Sequence, residues 1–187
     1  MPQALTDEEV VRLSLVDKEQ FATLIARYEA KLLRYLERLG VGSSDDRKDV
    51  LQNSFIKAYR NLNNFDPALS FSTWMYRITH NEAISFFRYK HSRPVVVLDE
   101  DNDSLLALVR DESADTAAVA EANLSAAEVA SALQKLPVRY RDVLTLRYFE
   151  DRSYEEMADI LEVPLGTVST LLYRAKRLLH GHLKKYE

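Results

Sequence analysis

Cysteine is absent from the 187-residue chain, and glycine and proline are scarce, with 4 and 5 residues. Without cysteine there is no disulfide framework, thiol nucleophile or cysteine-ligated zinc, which favours a reducing, cytoplasmic setting. No apolar run approaches the roughly 20 residues that span a bilayer, and the acidic start TDEEV is unlike a secretion signal. With 47% hydrophobic residues and few helix breakers, the composition predicts an all-α globular protein that is not inserted in a membrane.

Charge is unevenly distributed along the chain, although the net value is only −4. Residues 21–93 carry a net +5 and residues 129–187 a net +2, whereas residues 94–128 carry 1 basic and 9 acidic side chains. The whole-chain charge therefore conceals two basic modules that are suited to nucleic acid. We predict two small helical domains, residues 1–93 and 124–187, joined by a flexible acidic linker over residues 94–123.

Two short helices joined by a tight turn are predicted near the C-terminal end. Ser153 and Glu156 form a capping-box pattern, in which each side chain satisfies a free amide of the first turn. Glu162 and Val163 form the predicted turn, and Pro164 restarts the helix where its missing N–H costs nothing. Each helix has an apolar face at helical spacing, formed by Tyr154, Met157, Ala158 and Leu161 and then by Val168, Leu171, Leu172, Ala175, Leu178 and Leu179.

The opposite face of the second helix carries hydroxyls, one aromatic ring and cations. Such a face suits a helix in a DNA major groove, because hydroxyls contact bases or phosphates and Arg can donate two hydrogen bonds to guanine. Ala158 and Gly166 are small where the two helices are expected to cross. An ordinary helical hairpin with a solvated face fits the periodicity equally well. The outward residues are Thr167, Ser169, Thr170, Tyr173, Arg174, Lys176 and Arg177.

Just upstream, Ser125 and Glu128 form another capping-box pattern. A helix beginning at Pro137 is then expected to pack inward through an apolar set, Tyr140, Val143, Leu144 and Tyr148. The predicted helix-turn-helix consists of SYEEMADIL followed by PLGTVSTLLYRAK, and LPVRYRDVLTLRYFE comes just before it. Together these segments resemble bacterial sigma-70 factors of the extracytoplasmic-function group. The resemblance implies an alternative sigma factor that binds core RNA polymerase and promoter DNA and serves stress responses.

In that family the C-terminal helix-turn-helix reads the minus-thirty-five promoter element. The resemblance assigns this role here to Thr167, Ser169, Thr170, Tyr173, Arg174 and Arg177. Glu162 stands where the family usually has Gly, and Ser169 and Leu171 stand where a basic residue is common. These departures leave open the number of phosphate contacts and the bases that are read.

A helix predicted over 45–62 has Leu51, Phe55, Ala58 and Leu62 on its inner face. Ile56 falls on the outer face among polar groups, and single exposed apolar residues are normal. The segment DVLQNSF resembles the family's polymerase-docking helix, with Asn53 in place of a usual acidic residue. The resemblance implies a polymerase-binding set of Asp49, Gln52, Asn53 and Ile56.

The helix predicted over 70–93 places Trp74, Arg77, Asn81 and Arg88 on one stripe. An indole, an amide and cations together suit unpaired DNA, because bases stack on aromatic rings and cations hold the backbone. A core role for Trp74 is the alternative. The segment FSTWMYRITHN resembles the family's promoter-melting segment, preceded by a loop over 63–70. The implied minus-ten residues are Phe65, Trp74, Arg77, Asn81 and Arg88.

Other classes of function find little support in the sequence. It has no P-loop, G-x-S-x-G or H-E-x-x-H motif, and its four histidines lack ligand spacing, so we predict no enzyme activity, cofactor or metal. A stand-alone helix-turn-helix regulator with a helical sensing domain is the remaining alternative. The family resemblance also implies an anti-sigma protein as a partner.

Overall fold

The computed structural model describes residues 5–66, 69–90 and 126–183. Over these ranges the chain forms eight α-helices and two 3₁₀ turns without a strand, which confirms the all-α prediction. The predicted linker and Ser125 lie outside the described residues. No helix among the described residues is long and apolar enough to cross a membrane.

The N-terminal half contains four α-helices whose ends follow local sequence signals. Thr6 with Glu9 and Ser43 with Asp46 each form a capping box. The second long helix ends at Gly40, whose φ of 85° is in the left-handed region that glycine tolerates. The helices are α1 (Asp7–Val16), α2 (Phe21–Leu39), α3 (Ser44–Arg60) and α4 (Phe71–Lys90), with 3₁₀ turns at Lys18–Gln20 and Leu62–Asn64.

The N-terminal core lies between α2, α3 and α4. The predicted inner face of α3 is confirmed for Leu51, Phe55 and Ala58, which are buried. Leu62 is also buried, but it lies in the 3₁₀ turn after α3, because the helix ends at Arg60. Glu82 interrupts the apolar face of α4, and its carboxylate forms an ion pair with Lys57 of α3. At the other end of the same helix pair, Lys90 Nζ lies 2.9 Å from Asp46 Oδ2. This hydrogen bond lowers the pKa of Asp46 to about 2, with a further contribution from the Ser43 amide.

The C-terminal half contains the predicted helix-turn-helix. Its helices are α5 (Ala126–Gln134), α6 (Val138–Tyr148), α7 (Tyr154–Leu161) and α8 (Leu165–Leu183). The capping box of Ser153 and Glu156 at the start of α7 is confirmed. A common core is formed by buried residues of the last three helices, Val143, Leu146, Met157, Ile160, Val168, Leu172 and Ala175.

Three details of the predicted packing in this half are wrong. Tyr148 and Leu178 are 51% and 41% exposed, because α6 and α8 turn those positions away from the shared core. A Cβ atom added at Gly166 would meet nothing within 4 Å. The missing side chain at this position is therefore not what determines how closely α7 and α8 approach.

The two halves pack directly on each other. Helix α2 contacts α5 and α6, while α4 contacts α7. Consequently the helix-turn-helix abuts the helix that carries the predicted minus-ten residues, and its own outer face remains open.

Candidate nucleic-acid interface and docking groove

Helix α8 presents its predicted outer face to solvent because its apolar face packs on α6 and α7. Val168, Leu172 and Ala175 are buried. Tyr173 is 42% exposed and Arg177 is exposed, with the guanidinium carbon 5.8 Å from the tyrosine ring centre. The partly buried flanks of this surface are Thr167, Ser169, Thr170, Arg174 and Lys176. The face thus combines an aromatic ring, hydroxyls and cations, which is the chemistry of base and phosphate contact.

The turn before α8 has an unusual backbone conformation. Glu162 has φ 56° and ψ 43°, in the left-handed region, and it ends α7. The amide of Val163 then donates to the carbonyl of Ala158 at 3.1 Å. This closure fixes the direction in which α8 leaves the turn.

The predicted minus-ten stripe on α4 is only partly at the surface. Asn81 and Arg88 are exposed, and Arg77 is half-buried. Trp74 is 9% exposed, and its ring centre lies 5.2 Å from that of Phe65. The expectation of a surface indole is therefore wrong for this structure, because Trp74 packs in an aromatic cluster.

That aromatic cluster also holds the end of the loop that precedes α4. Phe65 is 6% exposed and Phe71 is fully buried, with ring centres 5.6 Å apart. The amide of Phe71 donates to Glu8 Oε1 of α1 at 3.2 Å. The cluster fixes the start of α4 against α1, and the stripe remaining for an external ligand begins at Arg77.

An apolar groove of about 420 Å³ runs between α2 and α3. Its floor includes Phe21, Ile25 and Phe55, and Gln52 and Ile56 stand on its α3 side. Ile56 is 40% exposed although it is a large apolar residue. Charged side chains at the rim are Glu29, Lys48 and Arg60. Two predicted docking residues therefore line the groove, while Asp49 and Asn53 are exposed on the same helix outside it.

The groove's α2 side was missed in the sequence. Phe21 and Ile25 fit a core stripe, and their period does not distinguish a residue that lines a groove from one that is fully covered. Tyr59, 37% exposed with its ring 5.2 Å from that of Phe21, was also missed. An exposed aromatic residue one turn after an exposed Ile was the available signal.

Comparison with known families gives two matches in the order of the two halves. The model described as "Sigma-70 region 2" matches residues 24–93, and "Sigma-70, region 4" matches residues 126–179. The ECF RNA polymerase sigma-E factor of Haemophilus influenzae is 32% identical over 98% of both chains. The chain belongs to the extracytoplasmic-function group of sigma-70 factors.

Other relatives of this sigma factor come from distant bacteria. The ECF RNA polymerase sigma factor SigW of Bacillus subtilis is 33% identical, over 90% of this chain and 91% of its own. The RNA polymerase sigma-H factor of Pseudomonas aeruginosa is 34% identical, over 95% and 94%. The chain is therefore an alternative sigma factor for promoter-specific initiation, and the stand-alone regulator is not favoured.

Solved structures share the fold of this sigma factor. The structure of CnrH in complex with the cytosolic domain of CnrY matches with a TM-score of 0.69 at 24% identity, over 97% of this chain and 99% of that one. The sigma factor RpoE in complex with the anti-sigma factor NepR, from Bartonella quintana, matches with a TM-score of 0.64 at 21% identity, over 89% and 98%.

Proposed function

We propose that this sigma factor uses three separate surfaces during initiation. The α2–α3 groove docks on core RNA polymerase through Gln52 and Ile56, with Asp49 and Asn53 beside it. The exposed stripe of α4 contacts the minus-ten element through Arg77, Asn81 and Arg88, within the N-terminal domain, residues 1–93. The outer face of α8, within the C-terminal domain, residues 124–187, reads the minus-thirty-five element.

The exposed Ile56 at the groove carries the docking proposal. An apolar side chain that is 40% exposed beside a groove floored by Phe21 and Phe55 favours burial against a partner. The charged rim adds polar contacts around an apolar centre, which is the usual arrangement of protein interfaces. A helical partner that places apolar side chains in the groove fits this shape.

Phe65 and Trp74 are proposed to serve the minus-ten element by supporting α4. Their cluster fixes the N-terminal end of the helix, so that Arg77 and Asn81 are held in one orientation. Melting then depends on surface contacts to the displaced strand, where Arg77 and Arg88 hold the backbone and the Asn81 amide can hydrogen-bond a base. Catalysis of RNA synthesis belongs to the polymerase, and we propose no catalytic group on this chain.

The docking surface is tested by Ile56→Glu in binding to purified core polymerase. A buried carboxylate without a partner disfavours the complex, so we expect affinity to fall by roughly 10-fold or more. Leu13→Glu is the matched control, since Leu13 on α1 is 43% exposed and lies outside the groove. Equal losses from both variants would contradict docking at the groove.

We also propose that an anti-sigma protein holds this factor inactive in the cytoplasm. The support is the fold shared with RpoE, whose solved structure is a complex with the anti-sigma factor NepR. A purified anti-sigma domain that binds the chain should compete with core polymerase for it. Simultaneous binding of both would contradict inhibition by exclusion from polymerase.

A further inference from the structure

Helix α4 is covered on two sides by its neighbours. The C-terminal domain covers one side, where Nδ1 of His80 lies 2.7 Å from Oδ2 of the buried Asp142. The other oxygen of this carboxylate accepts from the Tyr35 hydroxyl of α2 at 2.8 Å. One turn earlier on α4, the Tyr76 hydroxyl donates to Glu150 at 2.5 Å. Because α3 packs on a second side, an external ligand can reach α4 only along its outer side.

The outer side of α4 forms an exposed ridge along the second half of the helix. Its members are exposed and lie at positions i, i+4, i+7 and i+8, which share one helical face. They are Asn81, Ser85, Arg88 and Tyr89. At a rise of 1.5 Å per residue this ridge is about 12 Å long, which is the length of three to four nucleotides at 3.4 Å each. The ridge adds Ser85 and Tyr89 to the proposed minus-ten stripe.

Tyr89 is the most exposed aromatic residue of α4. It is 86% exposed, and its ring has no hydrogen bond or ring contact with any residue that the structure describes. Elsewhere on the helix every aromatic side chain is buried or partly buried, and therefore offers no open face to a base. Those residues are Phe71, Trp74, Tyr76, Phe86 and Phe87.

The cation next to Tyr89 is available for a phosphate. Arg88 is exposed, and it has no ion pair with any described residue. Lys90, on the other side of Tyr89, is instead directed to α3, where its Nζ atom lies 2.9 Å from Oδ2 of Asp46. An exposed ring beside an exposed guanidinium can therefore contact a base and its phosphate together.

No free acid on α4 opposes a DNA strand at this ridge. Glu82 is the only acidic residue in the sequence of α4, and its carboxylate forms an ion pair with Lys57 of α3. A strand along the ridge meets an amide, a hydroxyl, a guanidinium and a phenol ring. Aromatic rings that stack on bases and cations that follow the backbone are the usual features of single-strand binding surfaces.

The surroundings of Tyr89 suit a nucleic acid better than a protein. Protein interfaces have an apolar centre, and an aromatic anchor in them is surrounded by other apolar groups. The neighbours of Tyr89 on the ridge are instead the polar side chains of Ser85 and Arg88. An isolated ring among polar groups is suited to stack on a base, because a base also presents an apolar face with polar edges.

We propose that Tyr89 is the base-stacking residue of the ridge, with its ring on an unpaired base of the minus-ten strand. This inference rests on the proposed function of the exposed α4 stripe. Arg88 holds the phosphate beside that base, and Asn81 donates to or accepts from another base about 12 Å along the strand. Tyr89 thus provides the stacking surface that Trp74, buried beside Phe65, does not offer.

Stacking is measured with the full chain bound to core polymerase and a labelled single-stranded oligonucleotide. The oligonucleotide carries the minus-ten sequence of a promoter that has been mapped by transcription with this holoenzyme. Tyr89→Ala should weaken binding by about 5-fold or more, which is the loss expected when a base loses its aromatic platform. Tyr89→Phe keeps the ring and should bind like the parent. Tyr148→Ala is the matched control and should leave affinity unchanged, since Tyr148 is 51% exposed on α6.

An abasic scan of the oligonucleotide identifies the stacked base. Removal of that base should weaken binding to the parent and to Tyr89→Phe, because both proteins present a ring. The same removal should have no further effect on Tyr89→Ala, which has no ring to lose contact with. Abasic effects that are equal in the parent and in Tyr89→Ala at every position overturn the proposal.

Failure of this inference and failure of the proposed function give different results. If Asn81→Ala weakens strand binding and Tyr89→Ala does not, the stripe contacts DNA but Tyr89 is not its stacking residue. Parental strand binding by both variants contradicts the role of the α4 stripe as well. If Tyr89→Ala lowers affinity for core polymerase in the absence of DNA, the ring contacts a protein and the proposal is overturned.

Discussion

Glu162 illustrates how a single residue adapts a common motif at an energetic cost. Its left-handed conformation, with φ 56°, costs roughly 1–2 kcal/mol for a residue with a side chain. Glycine has no such penalty, although it loses more freedom on folding. The turn keeps its shape with glutamate because α7 and α8 both pack on α6 and fix its two ends.

Glu162→Gly should therefore raise the free energy of unfolding by up to about 1 kcal/mol, because relief of strain exceeds the added entropy of the unfolded chain. Urea unfolding followed by circular dichroism measures the change. Asp159→Gly, three residues earlier within α7, should instead destabilise by about 0.5–1 kcal/mol. A similar loss in both variants would mean that Glu162 is not strained.

Asn81 and Trp74 should separate surface chemistry from support. Asn81→Ala should leave thermal stability unchanged and slow the opening of duplex promoter DNA, since its amide is exposed. Trp74→Ala should lower stability by about 3–5 kcal/mol, because it empties a site in the aromatic cluster. Permanganate reactivity of the promoter and thermal melting of the protein give the two readouts. If Trp74→Ala has normal stability but opens promoter DNA slowly, the indole contacts DNA directly.

At the scale of elements, α8 has one buried face that packs on its own domain and one exposed face. Its buried residues orient the helix, and its outer face holds Arg177 beside the ring of Tyr173. A cation on this face contributes through phosphate charge, which depends on salt, whereas an uncharged ring contributes through bases or sugars. The two residues should therefore differ in the kind of binding they support.

Arg177→Ala should weaken binding to minus-thirty-five duplex DNA and lower the slope of log affinity against log salt by about one. Tyr173→Ala should change sequence preference and leave that slope near the parent value. Fluorescence anisotropy over a salt series measures both. If Arg177→Ala keeps the parental slope, the phosphate contacts lie elsewhere on the domain.

Helix periods and caps predicted most of the elements correctly, as the capping box at Ser153 shows. They failed where burial depends on a neighbour distant in sequence. Trp74 shares a helical stripe with exposed Asn81, yet Phe65 and Phe71 cover it. Residue types and family resemblance predicted the candidate site residues, but only the packed structure distinguishes the exposed candidates from the buried ones.

At the scale of the whole molecule, contacts between the domains had no signal in the sequence. Tyr35 and Asp142 are separated by 107 positions, and each fits an ordinary place on its own helix. Arg141, Asp142 and Thr145 are all buried in α6, so nothing in the pattern distinguished Asp142 as the residue that joins the two domains. Its partners could not be identified, because helical periodicity describes one element at a time.

The shared carboxylate at Asp142 also has a consequence for chimeric factors. A hybrid that joins this N-terminal domain to a foreign C-terminal domain keeps Tyr35 and His80. It loses the acceptor of the Tyr35 hydroxyl and the carboxylate beside His80 unless the graft supplies an acid at the matching position. Such a hybrid should therefore leave the buried Tyr35 hydroxyl without its acceptor, which weakens the packing between the two domains. Among relatives, substitutions at Tyr35, His80 and Asp142 should therefore occur together. The two domains would then evolve as one unit although each has its own DNA-binding surface.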